Sequence, residues 1–254
     1  MLFCRAAGLR SDRFSSTILW MKQAGIPIGG KVSSESIKKE LFPLFSVISF
    51  LTWLVTLVLS VIFNLILFRT RIRGREHLRE CREACFVVSN HSLFLDPAVM
   101  ILALAPRRVC MTALSQTVST RYLGAYLRLL GCMPITEMGI RRLINRSRFL
   151  MDRGWFVQVM PEGELRHMAC APGAFREGVF YLAMLLDKPV LPYVVRQKPV
   201  RIFGRMIHPL FVNLEVEFGP VIHPSQFGVA GLADRKASRA FRDFCHKQIS
   251  MMMN

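Results

Sequence analysis

The sequence predicts an α/β domain with a largely parallel or mixed sheet flanked by helices and preceded by an N-terminal membrane helix. Three observations support this fold class. The chain has 254 residues, enough to bury one sizeable core. From residue 70 onward, short apolar runs alternate with helical patterns, as is typical of strands joined by helices. Before them, residues 41–68 contain no charged side chain.

The uncharged segment 41–68 predicts a membrane helix. At about 1.5 Å per residue it would extend about 42 Å, more than the roughly 30 Å hydrocarbon core of a bilayer. A core helix that is apolar on every side is hard to place in a domain of this size. We therefore expect a helix that spans the bilayer or bends within one leaflet. The arginines at 69–75 outnumber the lysines before the segment, so the positive-inside rule places the following domain in the cytoplasm.

The chain accordingly divides into a polar N-terminal segment, 1–40, an anchoring helix, 41–68, and an α/β domain, 69–254. The first residues contain arginine and serine but little acid, which faintly resembles a transit peptide. They lack the long apolar run of a cleaved secretory signal. A start at Met21 is an equal alternative, and the sequence leaves open whether residues 1–20 belong to the mature protein.

Seven strands and six helices are predicted in the domain 69–254 from their apolar patterns and from glycine and proline breaks. The predicted strands are 70–74, 85–89, 109–112, 131–135, 155–160, 189–195 and 213–218. The predicted helices are 76–82, 97–105, 118–130, 140–152, 174–186 and 234–249.

Composition narrows the class of partner. The net charge of +17 favours nucleic acid or an anionic membrane surface. A hydrophobic content of 52% is unusual for a soluble nucleic-acid binder, and no nucleic-acid-binding signature is present, so we expect membrane lipids and no nucleic acid. The seven cysteines are scattered without zinc spacing, which predicts reduced thiols and no metal site. We also expect no cofactor.

The candidate catalytic pair is His91 and Asp96, which are separated by four residues and follow the apolar run 86–88. This order places the histidine at the end of a strand. Asp96 precedes Pro97, an ordinary N-cap arrangement that starts the next helix. A histidine can take a proton from a hydroxyl near neutral pH, and a neighbouring carboxylate can orient it and stabilise its cation. The nucleophile could then come from the substrate.

Three further segments follow this pair in order. They are Pro161-Glu162-Gly163, Phe175-Arg176-Glu177-Gly178 and Val190-Leu191-Pro192. Together with His91 and Asp96 they resemble the PlsC-like glycerolipid acyltransferases, the 1-acylglycerol-3-phosphate acyltransferase type, over residues 70–225. The resemblance implies transfer of a fatty acyl group from acyl-CoA or acyl carrier protein to a lysolipid hydroxyl. The implied product from 1-acylglycerol-3-phosphate is phosphatidic acid.

The resemblance also implies a set of substrate-binding residues, and here the chain departs from the family pattern. Where the family has threonine and then arginine, this chain has Glu164 and, one position late, Arg166. Where the family has an arginine for the acceptor phosphate, it has Glu137. The expected substrate-binding residues are Asn90, Glu137, Arg141, Arg142, Glu162, Gly163, Glu164 and Arg166.

Two alternatives remain at this stage. The acceptor could lack a phosphate, as an aminolipid or a pigment precursor would, because two glutamates beside a phosphate would repel it. The chain could also be a catalytically silent membrane protein that binds lipid, although the intact His91 and Asp96 favour an enzyme. Acceptor, donor, acyl-chain length and oligomeric state are not determined by the sequence.

Overall fold

The structure is a computed structural model. It describes residues 43–64, 66, 69–93, 95–113, 115–135, 139–167, 169–202, 205–206, 212–229, 231 and 234–253. The predicted polar segment 1–40, with the alternative start at Met21, lies outside the described residues.

A seven-stranded mixed sheet forms the centre of the molecule, in the order β1-β9-β6-β2-β5-β3-β4. All neighbouring strands pair in parallel except β6 and β9, which are antiparallel. Two short strands, β7 and β8, pair with each other outside this sheet. The strands are β1 (Arg71–Arg73), β2 (Phe86–Ser89), β3 (Val109–Ala113), β4 (Met133–Pro134), β5 (Phe156–Val159), β6 (Val190–Pro199), β7 (Arg201–Ile202), β8 (Arg205–Met206) and β9 (Val212–Phe218).

The helices form two contact groups. Helix α7 contacts both α6 and α8, and α1 contacts α3 and α5. A 3₁₀ turn at Pro224–Gln226 packs on α7. The helices are α1 (Pro43–Phe63), α2 (Arg75–Glu80), α3 (Asp96–Leu104), α4 (Ser115–Val118), α5 (Arg121–Leu129), α6 (Ile140–Met151), α7 (Gly178–Leu186) and α8 (Arg235–Met253).

The predicted fold class is confirmed, and all seven predicted strands are present within a few residues of their expected positions. Three helices differ from prediction, and one of them, α8, ends at Met253 rather than at residue 249. The segment 118–130 contains the last residue of the short helix α4 and then α5, because Thr120 caps α5 by accepting a hydrogen bond from the Gly124 amide. Helix α7 begins at Gly178 rather than at residue 174, because the Arg176 amide instead donates to the Pro161 carbonyl.

The core lies on both faces of the central strands. Strand β2 is buried at every position, as its continuous apolar sequence predicts for a strand covered on both sides. Large side chains that are fully buried come from the sheet and from the helices α7 and α8: Phe86, Phe156, Phe180, Tyr193 and Phe241. This packing fixes β2 and β5 side by side, so the loops that follow them meet at one edge of the sheet.

Helix α1 exposes apolar side chains to the outside, and three of its four described buried positions, all except Trp53, are polar. Its window Ser46–Phe63 has a mean hydropathy of 2.3 and is long and apolar enough to cross a membrane, by length and composition. Its buried positions include Ser49, Thr56 and Ser60, whereas eleven large apolar side chains on it are exposed. A helix that buried its apolar face in a soluble core would show the reverse arrangement.

Candidate functional site

The candidate site lies at the carboxyl edge of the sheet, where ligands of open α/β sheets bind. His91 follows the last residue of β2 by two positions, and Glu162 follows the last residue of β5 by three. Because β2 and β5 are parallel neighbours near the middle of the sheet, their loops leave it together. The fold therefore brings together two segments that are far apart in sequence.

The predicted pair is formed in the structure. The His91 Nδ1 atom lies 2.9 Å from the Asp96 Oδ2 atom. Asp96 is fully buried, whereas the His91 side chain keeps 26% of its surface exposed. With Nδ1 held by the carboxylate, Nε2 is the ring nitrogen left to exchange a proton with a ligand.

Asp96 acts on the preceding loop rather than as a conventional N-cap. It is the first residue of α3, with Leu95 at the cap position. Its Oδ2 atom accepts hydrogen bonds from the backbone amides of Ser92, at 2.9 Å, and Leu93, at 3.0 Å. The carboxylate thus shapes the loop that carries His91. Because these two amides are already bonded, an oxyanion at this site would have to be bound by other donors.

Strand β6 holds the same loop from the other side. The Asn90 carboxamide donates to the Val195 carbonyl at 3.0 Å and accepts from the Val195 amide at 2.9 Å. The Gln197 side chain donates to the Ser92 carbonyl at 2.6 Å. Asn90 is buried, and its bonds to β6 explain its position without a substrate. Its predicted substrate contact stays a prediction.

The Pro161-Glu162-Gly163 loop packs directly against the His91 loop. The Arg166 amide donates to the His91 carbonyl at 2.8 Å. Gly163 has a positive φ of 72°, which suits glycine, and a side chain there would meet the Arg176 guanidinium. The predicted residues Glu162, Gly163 and Arg166 therefore lie beside His91.

Glu162 is the electrostatically unusual member of this group. Only 6% of its surface is exposed, and both carboxylate oxygens lack a hydrogen-bond partner among the described residues. Burial raises the pKa of Glu162. The Gly173 amide lies close without meeting hydrogen-bond geometry, and together with the charges of Arg166 and His91 it partly opposes that rise in pKa.

A polar cluster beneath the pair was not found by sequence reasoning. The Gln158 amide group donates to the Tyr193 hydroxyl at 2.6 Å in the fully buried interior. Burial, and secondarily the charge of Asp96, raises the pKa of Tyr193 well above its ordinary value. The sequence feature that could have revealed this cluster is a glutamine and a tyrosine within otherwise apolar strands, because buried polar groups need hydrogen-bond partners.

The remaining predicted substrate-binding residues are less directly connected to His91. Glu164 is exposed on the loop after Gly163. Arg141 and Arg142 lie in the first turn of α6, where their side chains form no hydrogen bond or ion pair with the described chain. Glu137 lies outside the described residues.

Other parts of the described chain show no competing centre. Among these residues there is no cluster of histidine, cysteine or acidic side chains suited to a metal ion. A cavity of about 460 Å³ is lined by Cys81, Pro189 and His223, among others. These residues lie at the amino ends of β2 and β6, so the cavity is at the opposite edge of the sheet from His91.

Comparison with known proteins bears on this arrangement. The chain is 28% identical over 129 residues to 1-acyl-sn-glycerol-3-phosphate acyltransferase BAT2, chloroplastic, of Brassica napus. The match covers 49% of this chain but only 36% of that relative. The fold resembles the crystal structure of the 1-acyl-sn-glycerophosphate acyltransferase PlsC from Thermotoga maritima, with a TM-score of 0.56 and 14% identity. That similarity covers 95% of this chain and 91% of the other.

The family comparison extends over the strands and loops that build the candidate site. A family model described as Acyltransferase matches residues 69–196, just over half of the chain. The matched range includes the His91 loop, the Glu162 loop and most of β6. The chain belongs to the acyltransferase family.

Proposed function

We propose that this protein transfers a fatty acyl group from an acyl thioester to the free hydroxyl of 1-acylglycerol-3-phosphate, giving phosphatidic acid. The observation that carries the proposal is the contact of 2.9 Å between His91 Nδ1 and the fully buried Asp96. Membership of the acyltransferase family supports the reaction class. The donor would be acyl-CoA or acyl carrier protein, and the reaction needs no resident cofactor.

In the proposed reaction His91 is the general base. Its Nε2 atom takes the proton from the acceptor hydroxyl as the oxygen attacks the thioester carbonyl carbon. Asp96 holds the ring and stabilises the imidazolium that forms. When the tetrahedral intermediate collapses, the carbon–sulfur bond breaks and the departing thiolate takes the proton from His91. The acceptor supplies the nucleophile, so the protein forms no acyl-enzyme.

The acceptor site in this proposal is formed by the Glu162 loop. Arg166 follows Glu162 closely and its backbone is fixed to His91, so its guanidinium would be available to pair with an acceptor phosphate. Arg141 and Arg142 would add positive charge from α6. The buried Glu162, whose pKa is raised by burial, would present less negative charge to a phosphate than an ordinary glutamate.

We propose that the reaction takes place at a membrane. Helix α1, within the predicted anchor 41–68, would hold the domain 69–254 against the bilayer, with its exposed apolar side chains in lipid. Both substrates carry acyl chains that partition into lipid, which gives the anchor a function. The domain would face the cytoplasm, following the arginines at 69–75.

The test is acyl transfer by purified variants in mixed micelles, with free thiol as the readout. We expect His91→Ala to lower turnover by at least about 100-fold, the low end of general-base contributions. Asp96→Asn should also lower it. A matched control is His77→Ala, because His77 is a partly exposed histidine of α2 at the opposite edge of the sheet.

Circular dichroism would establish that each variant is folded. Near-wild-type turnover by folded His91→Ala would show that the mechanism is wrong. If the protein acylates other lysolipids but not 1-acylglycerol-3-phosphate, the proposed acceptor is wrong and the proposed mechanism is unaffected.

A further inference from the structure

Helix α5 presents an exposed aromatic and apolar face that the proposed reaction does not use. Tyr122 is 80% exposed, Leu123 41% and Tyr126 38%. Tyr126 is four positions after Tyr122 and three after Leu123, spacings that bring side chains to the same side of a helix. Side chains of this size are rarely exposed together unless they meet a partner.

The position of α5 is fixed by the apolar helix. The Tyr126 hydroxyl lies 2.8 Å from the Thr56 hydroxyl, which is in the middle of α1. Helices α1 and α5 are also in contact elsewhere than at this pair of hydroxyls. Whatever surrounds the centre of α1 therefore lies next to Tyr126, and Tyr122 is one helical turn away.

The chemistry of α5 matches the interfacial region of a bilayer. Tyrosine is enriched at membrane–water interfaces, where its ring contacts acyl chains and its hydroxyl stays hydrated. The helix carries Arg121 and Arg128 and no acidic residue, as an interfacial helix against anionic lipid does. The Arg121 guanidinium lies 5.5 Å from the centre of the Tyr122 ring, so charge and aromatic surface form one patch.

We propose that this patch, formed by Arg121, Tyr122, Leu123 and Tyr126, is a second membrane contact that inserts among lipid headgroups and the upper acyl chains. The proposal rests on the proposed insertion of α1 in the same bilayer and on α1 lying within one leaflet, because the middle of a spanning α1 would put Tyr126 at the bilayer centre. One helix alone would leave the domain free to rotate about the helix axis. A second contact on α5 removes that freedom and fixes how the His91 edge of the sheet faces the lipid.

The test places an environment-sensitive fluorophore on single cysteines of the full chain. Cys170 is exposed and the other described cysteines are buried, so Cys170 and Cys4 are first replaced by serine. The label is then attached at Leu123→Cys, at Val58→Cys on α1, or at Val229→Cys. Val229 is 71% exposed and adjoins Gly228, which packs between α7 and α8 away from α1.

The protein is reconstituted in phosphatidylcholine–phosphatidylglycerol vesicles with or without bromine on the upper acyl chain. We expect a blue shift and quenching by brominated lipid at positions 123 and 58, and neither at 229. Quenching at 58 with a water-like, unquenched label at 123 would overturn the second contact and leave the anchor in place. A blue shift at 123 without quenching would mean that a protein, or a second copy of this chain, covers the patch, and would also overturn it.

A functional measurement separates this proposal from the reaction itself. The double variant Tyr122→Ser, Leu123→Ser should lose several-fold in turnover on acceptor embedded in vesicles. It should keep wild-type turnover on acceptor in detergent micelles, which present substrate from every direction. Equal turnover of variant and wild type in vesicles, or an equal loss in vesicles and in micelles, would contradict the proposal.

Discussion

At the scale of single residues, one carboxylate organises the candidate site. Asp96 Oδ2 accepts from His91, from the Ser92 amide and from the Leu93 amide. The sequence predicted the proximity of His91 and Asp96 from their spacing after a strand. It could not predict the bonds to the two amides, because these depend on how the loop turns back over the first residue of α3.

Asn90 allows a structural role to be distinguished from a role in substrate binding. In Asn90→Ala, the buried amide and carbonyl of Val195 would each lose a hydrogen bond, which should lower the free energy of unfolding by about 2 kcal/mol or more. Thermal unfolding would measure this, with the exposed Asn145→Ala on α6 as the matched control. The predicted substrate role would instead raise the KM for the acceptor while leaving stability unchanged.

Glu162 should give the protein a defined pH dependence. Below an ordinary glutamate pKa of about 4.3 the side chain is protonated in both folded and unfolded chains, so burial has little effect. As the pH rises through this value the unfolded chain releases the proton, while the folded chain keeps it up to the raised pKa of Glu162. The free energy of unfolding therefore falls across this window.

Replacing Glu162 by glutamine removes this titration. Relative to wild type, Glu162→Gln should gain stability as the pH rises from 4 to 7, and denaturant unfolding at several pH values would measure the difference. The exposed Glu164→Gln is the matched control and should follow wild type. A constant difference between Glu162→Gln and wild type at every pH would contradict the assigned rise in pKa.

At the scale of elements, the strands were easier to predict than the helix boundaries. Strand β2 is a continuous apolar run because helices cover both faces of the sheet, and that pattern is visible in sequence. The start of α7 depends on a bond between Arg176 and Pro161, which are fifteen positions apart, so no local pattern reveals it. The β7–β8 hairpin was missed because two-residue strands leave almost no periodicity.

Helix α1 was predicted from its lack of charge. Only the structure shows that its buried polar residues, such as Ser49, bond to the domain. Ser49 accepts from the Arg108 guanidinium at 2.8 Å, and that guanidinium lies 3.7 Å from the centre of a Trp155 ring. Partial burial between Ser49 and Trp155 lowers the pKa of Arg108 to about 10, which leaves it charged at neutral pH. The helix is therefore bonded to the domain and not merely tethered to it.

Breaking one hydrogen bond between α1 and the rest of the domain should weaken the packing of α1 on the domain without releasing the protein from lipid. Thr56→Val removes the hydroxyl that meets Tyr126, and we expect a loss of about 1 kcal/mol in stability, measured by thermal unfolding in detergent micelles. Retention in the membrane fraction should not change, because the exposed apolar face is intact. Val58→Leu, at a position 52% exposed, is the control and should leave both quantities unchanged.

At the scale of the whole molecule, charge and hydropathy act together. A net charge of +17 on a chain with 52% hydrophobic residues combines attraction to anionic lipid with an apolar surface to insert. The mixed sheet places the His91 and Glu162 loops at one edge, and α1 packs against α3, the helix that begins at Asp96. The proposed anchor and the proposed catalytic pair are thus linked through a single helix.

The same charge pattern sets the expected orientation in a membrane, and the structure identifies the cysteine that can report it. Cys81 and Cys85 are buried next to β2, so a labelling reagent would miss them on either side of the bilayer. Cys170 is exposed on the loop after Arg166. With Cys4 replaced by serine, a membrane-impermeant maleimide should label Cys170 in bacterial cells only after they are made permeable. Cys170→Ser is the control for background, and labelling in intact cells would reverse the orientation.

A carbonate wash should leave the protein in the membrane fraction in either orientation, because the eleven exposed apolar side chains of α1 lose their lipid contacts on release.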